Sequence, residues 1–197
     1  MKLSPAELIR ARIEASMAVK AAILHDPELI ARIESLAAHC QSSLEQGGRI
    51  LFAGNGGSFA DAQHLAAEFT SRLCFDRAPL AALALGTNGS SISAIGNDYG
   101  YEQVFAREVV ALGRPGDVFI PITTSGNSPN LLVAVEEARK KQLHVVGFTG
   151  QSGGKLFSQC DCIRVPSTVT ARIQESHILI GHILCELVER GMFASAL

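Results

Sequence analysis

Apolar positions in the first fifty residues recur at intervals of three and four: Leu8, Ile9, Ile13 and Met17, then Leu29, Ile30, Ile33 and Leu36. This spacing predicts two helices, over 4–24 and 28–46, and Pro5 suits a first helical turn. After Gly47-Gly48 the pattern changes to short apolar runs, the last holding one charge at Arg164: Ile50–Ala53, Ala81–Leu85, Val118–Ile122, Val145–Phe148 and Cys162–Val165. Such runs suit strands of a parallel sheet covered on both faces. Helical stretches near 59–73, 89–95, 101–112, 129–141, 153–159 and 171–192 separate or follow them. The alternation predicts an α/β fold, a doubly wound five-stranded parallel sheet flanked by helices. The leading pair, 1–47, has no strand between its helices and is expected to form a helical hairpin packed on the sheet or on another subunit. No repeat and no linker rich in Pro, Gly or Ser divides the chain, so 1–197 reads as a single domain.

Composition narrows the function classes. Of 197 residues, 47% are hydrophobic and 18% charged, against about 25% charged in average chains. That balance fits a large core together with a subunit interface, and it excludes a disordered chain. Seventeen basic and nineteen acidic residues give a net charge of −2, which offers no electrostatic footprint for nucleic acid. Trp is absent and Tyr occurs twice, so base-stacking platforms are lacking too. Charges at Glu7, Arg10, Arg12 and Glu14 interrupt the N-terminal stretch where a signal peptide needs an apolar run. No apolar run is long enough to span a membrane. The five cysteines, Cys40, Cys74, Cys160, Cys162 and Cys185, are odd in number and irregularly spaced, as expected of a reducing cytoplasm. Cys160-Asp161-Cys162 reads as structural.

Ligands of doubly wound sheets bind outside the carboxyl ends of the strands, and two loops there are rich in small residues. The first strand leads into Gly54-Asn55-Gly56-Gly57-Ser58, the third into Thr123-Thr124-Ser125-Gly126-Asn127-Ser128 ahead of Pro129. Glycines allow close backbone approach, hydroxyls donate, and each following helix presents free N–H groups, so both loops suit an anion. Neither carries GxGxxG or GK[ST]. A phosphorylated small molecule therefore fits better than ATP or NAD. On the helix after the first loop, His64 and Glu68 are four residues apart and share a face. Gln174 and His182, eight apart, lie on one side of the last helix. Two imidazoles, a carboxylate and an amide suit a zinc-like ion. His177 and His144 read as packing histidines, and Glu175, Glu186 and Glu189 as a solvated or interface face.

Taken in order, these motifs closely resemble the phosphoheptose isomerases of the sugar-isomerase (SIS) domain superfamily. The resemblance rests on Gly54–Ser58, Asp61-Ala62-Gln63-His64 with Glu68, Gly96-Asn97-Asp98-Tyr99-Gly100, Thr123–Ser128, and Arg172-Ile173-Gln174-Glu175 with His177 and His182. It spans essentially the whole chain. It implies a flavodoxin-like SIS fold and a cytoplasmic homotetramer with active sites between subunits. The implied reaction converts sedoheptulose 7-phosphate to D-glycero-D-manno-heptose 7-phosphate, the first step towards the heptose of bacterial lipopolysaccharide and other surface glycans. It implies one Zn2+ per subunit on His64, Glu68, Gln174 and His182. Substrate would be held by Asn55, Gly56, Gly57, Ser58, Glu68, Arg72, Asn97, Asp98, Thr123, Thr124, Ser125, Ser128 and Gln174. Glu68 and His182 would be the acid/base pair. Two features depart from the family pattern: Thr123 stands where relatives usually have Ser, and Ser167–Ala171 lacks an acidic residue that many relatives carry. A non-enzymatic regulatory relative, the replication initiator-associating protein, remains an alternative, although it lacks the acid/base pair present here. Other SIS sugar-phosphate enzymes, such as etherases and hexulose-phosphate isomerases, fit the His64–Glu68 and Gln174–His182 pairs less well.

Overall fold

A computed structural model describes residues 3–193. The chain runs α1 (Pro5–Leu24), α2 (Pro27–Glu45), β1 (Ile50–Gly54), α3 (Gly57–Thr70), β2 (Ala82–Ala84), α4 (Gly89–Tyr99), α5 (Val104–Leu112), β3 (Val118–Ile122), α6 (Pro129–Lys140), β4 (His144–Thr149), β5 (Asp161–Arg164) and α7 (Thr170–Phe193). The five strands form one parallel sheet in the order β2-β1-β3-β4-β5. Strand order reverses between β1 and β3, which run side by side with Gly54 opposite Ile122. The two small-residue loops therefore leave the sheet as neighbours, at the crevice where such folds bind ligands.

Every residue of β1 and of β3 is buried, because helices cover both faces. Phe52, Ile120, Phe148 and Ile163 pack under α2, α3 and α7. Leu51, Phe119, Val145 and Cys162 pack under α5 and α6. All five cysteines are free thiols. Among the described residues, no helix is long and apolar enough to cross a membrane.

The two leading helices behave differently. Ser4 and Glu7 form a capping box at the start of α1, which satisfies two of the amides a helix start leaves free. The only residue buried on α1 is Ile23, whereas α2 buries Leu29, Ile33, Leu36, Ala37 and Cys40. Hence α2 belongs to the core, and α1 leaves Leu8, Ile9, Ile13 and Met17 exposed. Two helical stretches depart from the sequence reading. Residues 154–158 form a 3-10 turn after Gly153 and Gly154, both at positive φ (72° and 55°), a region in which an α-helix cannot begin. Residues 101–103 form another 3-10 turn, and α-helix starts only at Val104. In turn α4 continues to Tyr99, so Asn97 and Asp98 sit in its last turn.

Candidate active site

Glycine is required in the first loop on steric grounds. A Cβ on Gly54 would stand 2.4 Å from the Ser58 carbonyl oxygen, and Gly56 has φ +57°. The second loop is similarly tight: Gly126 has φ +67°, and its Cβ would meet the Gly153 carbonyl. Helices α1, α2 and α4 each begin with a side chain capping their first amides, from Ser4, Asp26 and Asn88. Helices α3 and α6, which follow the two loops, have no side-chain cap. Two adjacent helix starts without a side-chain cap, with their positive dipole ends, are chemically suited to cradle an anion. At α6 the Ser128 hydroxyl turns to Thr123 Oγ1, 3.3 Å away, and the Gly126 amide donates to the same Thr123 oxygen.

Asn55 and Asn130 bind the loops to each other. Asn55 Nδ2 donates to Asn130 Oδ1 at 3.0 Å, and Asn130 Nδ2 donates back to Asn55 Oδ1 at 2.9 Å. Tyr101 also donates to Asn55 Oδ1. Asn130 is buried; nothing in its sequence position after Pro129 announced this role.

Beside the cradle, α3 and α7 present the other candidate residues. His64 Nε2 lies 2.8 Å from His182 Nε2 and 3.1 Å from Glu68 Oε1. One ligand atom from each of the three residues falls within 4.8 Å of the others. The helices can approach because Gly181 faces Leu65; a Cβ there would stand 2.6 Å from the Leu65 methyl carbons. The Gln174 amide reaches the first loop, its Nε2 lying 2.7 Å from where a Cβ on Gly57 would be. Asp61, one turn before His64, belongs to the motif quoted above but was given no role from the sequence. Its pKa is raised, chiefly by burial, with the His64 and His182 rings opposing the rise.

The other expected site residues are placed less centrally. Ser58 is buried within the first turn of α3, and Thr123 is buried at the end of β3. Ser125 is exposed and its hydroxyl accepts from the Asn127 amide, while the Thr124 carbonyl accepts from Gly150. Asn97 and Asp98 are exposed and bond to each other. Arg72 lies beyond the end of α3 and is exposed.

The SIS domain family matches residues 17–150. A phosphoheptose isomerase from Aneurinibacillus thermoaerophilus is 53% identical over 188 residues, 95% of each chain. The chain belongs to the phosphoheptose isomerase family of SIS-domain proteins. As a member of that family it is an isomerase. The solved phosphoheptose isomerase from Francisella tularensis superposes with a TM-score of 0.89 at 39% identity, covering 95% of this chain and all of that one. The enzyme from Neisseria gonorrhoeae superposes with a TM-score of 0.88 at 41% identity, covering 94% and 99%.

Two sequence readings need correction or sharpening. Glu189 is not on a solvated or interface face: it is fully buried, accepts from the Leu73 and Cys74 amides and pairs with Arg77 at 2.9 Å. His177 is a core histidine, as expected, with its Nε2 3.1 Å from the Thr149 carbonyl oxygen. Burial pulls its pKa down to about 4.

Proposed function

We propose that this protein isomerises sedoheptulose 7-phosphate to D-glycero-D-manno-heptose 7-phosphate through an enediol, as the first step of ADP-heptose and surface-glycan synthesis in the cytoplasm. The observation that carries the reading is the meeting of Glu68 and His182, from separate helices, beside two uncapped helix starts. The phosphate would sit in the cradle of Gly56, Gly57, Ser58, Thr123, Thr124, Ser125 and Ser128. Asn55, Asn97, Asp98, Arg72 and Gln174 would line the path of the sugar.

Moving the carbonyl from C2 to C1 requires four proton transfers, two off the sugar and two back on to it. Glu68 takes a proton from C1, the released electron pair forms the C1=C2 bond, and His182 protonates O2. In the second half His182 recovers a proton from O1, the C1 carbonyl forms, and Glu68 delivers its proton to C2. Glu68 ends unchanged, and no redox cofactor is needed. The regulatory alternative is disfavoured because both members of the pair are present and adjacent.

The donor set also suits one zinc ion per subunit, on His64, Glu68, Gln174 and His182. Tetrahedral zinc with bonds of about 2.0–2.1 Å needs ligand atoms roughly 3.3 Å apart, and His64 lies 2.8 and 3.1 Å from its two neighbours. When bound, the ion would polarise the sugar's oxygens and stabilise negative charge on them. Activity and metal content can be measured together. Glu68→Gln is expected to lower kcat by about 10³ or more, within the scale of positioned acid–base catalysis, while sugar phosphate still binds by calorimetry. A rate within a few-fold of the parent contradicts the assignment. Chelation should remove activity, and zinc should restore it.

A further inference from the structure

The mechanism does not use the most deeply buried ion pair among the described residues. The Arg77 and Glu189 side chains are 2% and 1% exposed and meet at 2.9 Å. Arg77 Nη2 donates to the Glu68 carbonyl at 2.8 Å, and Nη1 to those of Phe69, Ser71 and Ala78 at 2.7, 3.0 and 3.1 Å. Carbonyls in the last turn of a helix lack partners within it, and a cation there also opposes the helix dipole. The guanidinium thus closes the end of α3, one turn of which carries Glu68. Glu189 stands on α7 seven residues after His182, so both project from one face. It also holds the chain leaving α3 through the Leu73 and Cys74 amides. Burial alone would raise the Glu189 pKa, but these amides and Arg77 bring it below the usual carboxylate range.

We propose that Arg77 and Glu189 are positioning residues of the isomerase site: their pair fixes the height and rotation of α7 against α3, and so brings His182 to His64 and Glu68. The proposal rests on the isomerase reading above. A buried pair is a poor source of net stability, and apolar replacement of both partners is often tolerated, which gives register, rather than strength, as its use.

Two variants separate position from stability. Arg77→Lys keeps the charge but lacks the planar fork that serves several carbonyls at once. The double variant R77M/E189L removes both charges and leaves neither unpaired. For each folded variant, kcat should fall at least tenfold with KM within threefold, since the phosphate cradle lies at the start of α3 and in the loop before α6, away from the end of α3 that Arg77 closes. The nuclear Overhauser contact between the His64 and His182 rings, expected in the metal-free parent from their 5.0 Å centroid separation, should weaken. A folded variant with kcat within twofold and the ring contact intact overturns the proposal. A parent without that contact, or without isomerase activity, instead overturns the functional reading. If neither variant folds, the unaltered protein decides: loading with zinc chloride should slow exchange of the Leu73 and Cys74 amides at least threefold, and unchanged exchange in zinc-loaded protein refutes the coupling.

Discussion

His177 shows how burial fixes a charge state. Its ring is fully buried beside Phe148, with one nitrogen on the Thr149 carbonyl and the other without a partner. Desolvation lowers its pKa from 6.5 to about 4. The unfolded chain therefore takes up a proton near pH 6.5 that the folded chain refuses until about pH 4. Its contribution to stability is complete above pH 6.5 and is lost as pH falls through that window, on the order of 3 kcal/mol in all. Urea unfolding at pH 7 and pH 4.5 should show a smaller acid loss for His177→Gln than for the parent; equal losses would assign the acid sensitivity elsewhere. At this scale the sequence was legible where partners are close along a helix, as with His64 and Glu68. Glu189 was misread because its partner, Arg77, lies 112 residues away in a connection without periodicity. Asn130 was missed for the same reason, its reciprocal partner lying 75 residues off.

Elements were easier to read than residues. All five strands fall where short apolar runs placed them, most plainly β1 and β3, which are buried throughout and have no polar position to obscure them. Backbone conformation was less visible: two consecutive glycines at positive φ turn residues 154–158 into a 3-10 segment. What joins one element to another was hidden as well. The Asn55–Asn130 amide pair links the start of α3 to the start of α6, so it sets the spacing of the two cradle halves. Asn130→Ala would leave the Asn55 amide short of a partner and let the loops part. Its KM for the sugar phosphate should rise about tenfold, a loss of roughly 1.4 kcal/mol in binding, with kcat changed far less. Steady-state kinetics would show this, and an unchanged KM would free the cradle from any dependence on the pair.

The molecule as a whole leaves apolar surface uncovered. Ile9, Ile13 and Met17 on α1 are 60%, 55% and 64% exposed, and a groove beside them is lined by Ile23, Leu24, Ile30, Ile183 and Leu187. Contiguous apolar surface of this kind marks association sites. Such a face would suit the homotetramer that the family resemblance implies, with α1 in its contacts. Ile13→Glu places a charge on that face and should shift the sedimentation profile to smaller species, with activity falling in parallel. An unchanged profile would remove α1 from the interface. The low charged fraction pointed to such a surface, although composition alone could not say which helix bears it.

Proton transfer by Glu68 has a direct signature. Its side chain is 20% exposed, so a proton held there can exchange with solvent before it is returned. Sedoheptulose 7-phosphate incubated with the enzyme in D2O and followed by NMR should yield heptose 7-phosphate carrying deuterium at C2. Product formed with the original hydrogen wholly retained at C2, or no conversion at all, would contradict the account.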